Sequence, residues 1–201
     1  MIKVFSLAVS LGLFAAAGPA VAIDLNPFSA IKNAVEAAVE DRSSGDIATD
    51  TRIKAEIVTD VIGKMGTDVL SLNADVYEQE VMLTGAVKTA KQKADAEALT
   101  KKIKGVKKIH NDILVVTPTA DGKGTVENFV DDTVIETKIN ALLLEGKDVN
   151  VTNFRWRSIG GKVFLFGRAL SKAELDKAIG IVKGIDKVTS VTSRVKVRPK
   201  S

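Results

Sequence analysis

Val163-Phe164-Leu165-Phe166-Gly167 repeats Val81-Met82-Leu83-Thr84-Gly85 at a shift of 82 residues, and the match runs outward from that stretch in both directions without a gap. Upstream, Asp50-Thr51 falls on Asp132-Thr133, Ile53 and Ile57 on Ile135 and Ile139, and Val69 on Val151. Downstream, Ala96 falls on Ala178, Ile103 on Ile185, Val106 on Val188 and Val115 on Val197. The matched positions are apolar, glycine or helix-cap residues while the charges between them differ. What repeats is therefore a folding unit and not a catalytic motif, which points to a tandem binding or structural module.

Each copy reads as helix, strand, strand, helix, strand. A helix is expected to open at Asp50-Thr51 and Asp132-Thr133, where short polar side chains satisfy the first free N–H groups; Thr133-x-x-Glu136 has capping-box spacing, and Arg42-Ser43-Ser44-Gly45 reads as the break ahead of the first copy. Ile53, Ile57 and Val61, matched by Ile135, Ile139 and Leu143, form a stripe at helical spacing. Two strands follow, joined by polar turns at Glu78-Gln79-Glu80 and Gly160-Gly161, with alternation in Leu70, Leu72, Ala74, Val76 and again in Val81, Leu83. The second helix starts with Thr89-x-x-Gln92 and Ser171-x-x-Glu174, and in the first copy it ends in Lys101, Lys102 and Lys104 before Gly105, a basic turn that suits the negative helix end. A third strand, Ile109 to Val116 and Val191 to Val197, closes each unit. The fold class is thus α+β, with two tandem αββαβ domains at 50–116 and 131–198, each a three-stranded sheet with two helices on one face. Residues 117–130, with Pro118, Gly122 and Gly124, read as the linker.

Units of this size lie near the lower limit for independent folding, so the two copies are expected to lean on each other. The 201-residue chain has no cysteine and one histidine, which excludes disulfides, thiolate metal sites and a thiol nucleophile. Residues 1–22 have the form of a cleaved secretory signal: Lys3, an apolar run from Val4 to Ala17, and the small-residue pattern Ala20-Val21-Ala22. Ser6, Ser10, Gly12 and Pro19 make that run a poor membrane span, and with no cysteine after it lipoprotein attachment is excluded, so a periplasmic location is expected. Residues 23–49 form an arm with a short amphipathic helix through Ile31, Ala34, Val35, Ala38 and Val39, read as packing on the first domain or as lying in a membrane interface.

The chain resembles the BON domain family. The resemblance rests on Asp-x-x-Ile-x-x-x-Ile opening the first helix, Val-x-Leu-x-Gly ending the second strand, and Gly-Val-x-x-Ile-x-Asn at Gly105 to Asn111; it covers both copies. Glu40-Asp41-Arg42-Ser43-Ser44-Gly45 is similar to the lead-in of the dual-BON outer-membrane lipoproteins, although Lys187 stands where the second copy would carry the counterpart of Gly105. The resemblance implies envelope maintenance through attachment to anionic phospholipid, with no catalysis.

The residues themselves offer little to an enzyme. Asp131-Asp132 sits at an expected helix start and reads as a cap, His110 as an ordinary strand residue, and Gly160-Gly161 as a hairpin turn and not a phosphate loop. No cofactor and no metal site are expected, and export removes nucleic acid as a partner.

Differences between the copies mark surface. Arg52 maps to Val134, Asp60 to Leu142 and Glu97 to Ile179, so the second copy exposes apolar groups that the first does not. With Phe129 and Val130 before it and Lys138 after it, Val134 forms a stripe suited to an anionic phospholipid surface, and Phe129, Val130, Val134 and Lys138 are the expected lipid-docking residues. Basic charge is concentrated in the same copy, with fourteen basic against eight acidic residues over 131–201 and eleven against ten over 50–116. The competing surface is the sheet face of the second copy with Phe164, Phe166 and Arg155-Trp156-Arg157; Trp156 reads as core, and the two Phe residues as packing against the first domain. The rival reading of function is a soluble periplasmic stress-protective or chaperone-like protein that binds other envelope proteins.

Overall fold

The computed structural model describes residues 41–65, 69–116 and 123–198, with Ile62, Val69, Leu70 and residues 123–130 described by their backbone alone. The signal sequence at 1–22, the amphipathic helix expected between Ile31 and Val39, and linker residues 117–122 lie outside the described residues.

The first helix, α1 (Ser44–Glu56), opens earlier than the pattern predicts. Ser43, with φ −67° and ψ 152°, caps it by accepting from the Asp46 N–H, so the Arg42–Gly45 stretch is the helix start itself. The helix continues through wider turns at Ile57–Ile62 and a last turn at Gly63–Met65, and it buries Ile53, Ile57 and Val61 as the stripe requires. Strands β1 (Val69–Tyr77) and β2 (Glu80–Val87) then form an antiparallel hairpin. Helix α2 (Ala90–Thr100) starts at a complete Thr89/Gln92 capping box. Short strands β3 (Lys108–Asn111) and β4 (Leu114–Val115) both run parallel to β2, which is central.

The second copy repeats this order. Helix α3 (Lys123–Glu145) begins inside the stretch read as linker. After a single 3-10 turn come β5 (Phe154–Ile159), β6 (Lys162–Ala169), α4 (Lys172–Lys183) and β7 (Ser190–Val197), with β6 in the middle. Ser171 caps α4 by accepting from the Glu174 N–H, while the Glu174 carboxylate reaches the N–H groups of Leu170 and Asn150. Strand β7 is continuous, whereas its first-copy counterpart breaks at Asp112-Ile113. There Ile113 turns into the first core, and the Asp112 N–H still donates to the Leu83 carbonyl.

Pleating divides each central strand between two cores. Val81, Leu83 and Val87 face α1 and α2, while Met82 and Ala86 face the other domain. In β6, Val163, Leu165 and Ala169 join Trp156, Ile135, Ile139 and Leu143 under the helices, while Phe164 and Phe166 face the first domain. The reading of Trp156 as core and of both Phe residues as domain packing therefore holds. Gly85 and Gly167, with φ 129° and 112°, lie where the neighbouring strand crosses; a Cβ there would overlap the carbonyl oxygen of Ser71 or Asn153.

Two cap assignments are overturned. Because α1 and α3 begin upstream, Asp50 and Asp132 lie within helices, buried, with their carboxylates on the tight turn of their own hairpin. Asp50 accepts from the Glu78 and Gln79 N–H groups at 2.6 and 2.7 Å, and Asp132 from those of Gly160 and Gly161 at 2.7 and 2.9 Å. These turn residues have φ between 54° and 75°, so each carboxylate fixes a left-handed turn to the helix above it. Thr133-x-x-Glu136 is likewise mid-helix, and Glu136 accepts from the Ser158 N–H at 2.8 Å.

Candidate functional site

The two sheets meet face to face. Tyr77, Met82, Ala86, Ile159, Phe164 and Phe166 form a third apolar core between the domains, with Leu114 and Val116 at its margin. His110 lies on this side too: its ring packs edge-on against Phe166 with centroids 5.9 Å apart, and its Nε2 is 3.2 Å from Glu80.

Ion pairs ring that core. Arg157 Nε lies 3.1 Å from Asp75 Oδ2, and Arg194 reaches both oxygens of Asp112 at 3.0 and 2.7 Å. Lys196 pairs with Glu80 at 2.7 Å, Arg168 pairs with Glu78 and, at 3.6 Å, with Asp41, and Arg198 pairs with Asp41. Burial pushes the Asp75 carboxyl up, but Arg157, Lys54 and Arg155 outweigh it and hold it below its ordinary value. Glu80 is balanced the same way, with Lys196 and His110 overcoming burial. Glu136, at the edge of this network, goes the other way: burial raises it despite the nearby Arg157 guanidinium.

This geometry reassigns the basic surplus of the second copy. Arg157, Arg168, Arg194, Lys196 and Arg198 are spent on carboxylates of the first domain and of Asp41 just ahead of it. The excess charge that the sequence offers to an anionic membrane faces the neighbouring domain instead.

With both sheet faces covered, the helix layer is the remaining broad surface, and there the copies differ. On α3, Ile135, Ile139 and Leu143 point into the core while Val134 is 47% exposed, Leu142 40% and Leu144 62%. Lys138 is exposed one turn after Val134 and pairs with no carboxylate among the described residues. At the matching places the first domain carries Arg52 and Glu56 on α1 and Asp60 in the wider turns that continue it. Arg52 pairs with Glu56 and donates to the Lys104 carbonyl at 2.8 Å, and Asp60 pairs with Lys64 at 3.3 Å. Of the expected lipid-docking residues, Val134 and Lys138 are together on the outward face of α3. Phe129 and Val130 are in the same helix, with side chains outside the described set. Leu144 was missed because the repeat puts Ile62 opposite it, so the change from charged to apolar that singles out Val134 and Leu142 is absent there.

Lys187 closes the upper end of this face. It holds the left-handed φ of 67° that Gly105 holds at 93° in the first copy, and its ammonium reaches Asp131 at 2.6 Å. Among the described residues no three of His, Asp and Glu gather where they would hold a metal ion, and no helix is long and apolar enough to cross a membrane.

The chain is 30% identical over 128 residues to a protein encoded in the gshII 5′ region of Anaplasma centrale, covering 64% of this chain and 82% of that one. It is also 30% identical over 118 residues to osmotically-inducible protein Y of Escherichia coli (strain K12), covering 59% of this chain and 54% of the relative, so it spans about half of that protein's length. Among solved structures, CdsD, a structural protein of the type III secretion system of Chlamydia trachomatis, aligns over 77% of this chain and 93% of its own with a TM-score of 0.32 and 10% identity. The BON domain matches twice, at residues 49–117 and 131–199, the same two units that the repeat and the two sheets define, and the chain belongs to the BON domain family as a tandem pair.

Proposed function

We propose that the protein is a non-enzymatic, exported component of the bacterial envelope that docks peripherally on anionic phospholipid through α3 of its second domain. One observation carries this reading: the sheet faces cover each other, and of the six large apolar side chains left exposed among the described residues, Val134, Leu142 and Leu144 lie on this one helix. The first domain has charged, paired groups at the places of Val134 and Leu142, so the difference is not demanded by the fold.

Seating a few such side chains in a membrane interface contributes a few kcal/mol at about 25 cal/mol per Å², enough for weak and reversible attachment. Since five basic groups of the second domain, Arg157, Arg168, Arg194, Lys196 and Arg198, are paired across the domain interface, attachment depends more on these apolar groups than on charge. Cosedimentation with phosphatidylglycerol vesicles tests this. The mature chain is expected to pellet with them and to lose only part of its binding at moderate salt. Val134→Arg with Leu142→Asp, the residues the first copy carries, is expected to lower binding about tenfold with unchanged circular dichroism. Equal binding by parent and variant overturns the assignment to α3, and absence of parent binding overturns the membrane reading.

The second reading, a stress-protective protein of the periplasm that binds other proteins, is favoured by the similarity to osmotically-inducible protein Y. It is the outcome left if the parent ignores vesicles yet keeps destabilised envelope proteins soluble.

A further inference from the structure

The interface between the sheets has a single electrical polarity. Among the described residues, every ion pair that crosses it puts the carboxylate on the first-domain side, at Asp41, Asp75, Glu78, Glu80 or Asp112. The base is always in the second domain, at Arg157, Arg168, Arg194, Lys196 or Arg198. Shape, by contrast, is repeated. Asp75 and Arg157 are equivalent positions 82 residues apart, as are Asp112 and Arg194, and Met82 and Phe164 are a third such pair within one apolar cluster.

Contacts between equivalent positions are what a two-fold axis lying between the sheets produces. Two first domains placed in this arrangement would set Asp75 against Asp75 and Asp112 against Asp112. Two second domains would set Arg157 and Arg194 against themselves. Like charges at the axis therefore reject both symmetric pairings and select a first domain against a second one. That selection acts on the type of domain and not on the chain it belongs to. We propose that the basic sheet face of the second domain is a docking surface for the acidic sheet face of a second copy of this protein, so that two chains pair by reciprocal exchange. Every ion pair named above is kept in such a particle, and it presents two α3 faces. Within one chain the tether favours the closed form by its effective concentration; exchange gains where copies are crowded. The proposal does not rest on lipid binding.

Charge reversal separates the two arrangements in the full chain. One variant carries Glu80→Lys with Asp112→Arg, and the other Arg194→Asp with Lys196→Glu. Each alone sets like charges against each other whether closed or paired with itself. Mixed, and only by exchange, they restore opposite charges at both interfaces. After joint refolding from urea, light scattering on the eluting peak is expected to give twice the mass of one chain for the mixture, with the variants present one to one, and the mass of one chain for each variant alone. A mixture that stays at the mass of one chain overturns the proposal, whether the separate variants are folded or not.

Discussion

Arg157 binds the residue that occupies its own position in the other copy, Asp75, with Nε and Oδ2 3.1 Å apart. Asp75 is 4% exposed and Arg157 30%, so the pair sits at the edge of the apolar core between the sheets, supported by Lys54 at 3.7 Å. Truncating Arg157 to Ala leaves a buried carboxylate with the longer Lys54 contact and the charge of Arg155. The expected loss is about 3 kcal/mol in urea unfolding. Replacing both residues by Leu is expected to return stability to within about 1 kcal/mol of the parent, because a buried pair and an apolar pair of similar volume are close in energy. A double Leu variant as unstable as Arg157→Ala contradicts this account of the pair.

Asp132 supports the hairpin of the second domain by accepting from Gly160 N, Gly161 N and the Ser158 hydroxyl. Asp132→Ala is expected to cost about 3 kcal/mol, since two buried donors, Gly161 N and the Ser158 hydroxyl, and the partly buried Gly160 N lose their acceptor together. A residue that served only as a helix cap would cost about 1 kcal/mol, so equilibrium unfolding distinguishes the two roles.

Gly167 and Gly160 both have positive φ, but their surroundings differ. A Cβ on Gly167 meets the Asn153 carbonyl oxygen, whereas one on Gly160 meets nothing within 4 Å. Gly167→Ala is expected to lower the thermal midpoint severely or prevent folding; Gly160→Ala is expected to cost about 1 kcal/mol, the ordinary penalty of a left-handed residue. Similar midpoints for the two variants would contradict the close strand crossing.

Much of this was legible in the chain because a repeat samples the same fold twice. Ile53, Ile57 and Val61 and their counterparts announced the buried helix face, and Phe164 and Phe166 announced the domain contact. The helix starts were misread because Asp50 and Asp132 have the chemistry of a cap, and nothing local tells a carboxylate that caps its own helix from one that reaches a turn 28 residues later. The basic surplus of the second copy was misassigned for a related reason. Composition counts charges but does not say which carboxylate lies across the interface, and the i to i+82 pairing appears only when the two sheets are face to face.

The clamp between the domains sets a pH response. Asp75 and Glu80 lie below their ordinary values of 3.8 and 4.5 in the folded protein, so their contribution is present above those values and is lost as pH falls through the folded-state ones. Glu136 is raised from 4.5, so its contribution is present below that value and is lost as pH rises through the folded-state one, which partly offsets the other two. Thermal unfolding is therefore expected to change little from pH 7 to about 5 and to weaken below about 4, where free carboxyls begin to protonate. Glu80→Gln is expected to flatten that acid limb. An acid limb as steep as the parent's would remove Glu80 from the clamp.

The absence of cysteine makes the membrane claim directly measurable, because a single introduced thiol carries a label without competition. Val134→Cys and Arg52→Cys place an environment-sensitive fluorophore at equivalent positions of α3 and α1. On phosphatidylglycerol vesicles, the label at residue 134 is expected to shift to the blue and to lose access to an aqueous quencher, while the label at residue 52 remains in water. A label at residue 134 that stays quenchable while the protein is vesicle-bound, or the same shift at both positions, contradicts docking through the second domain's helix.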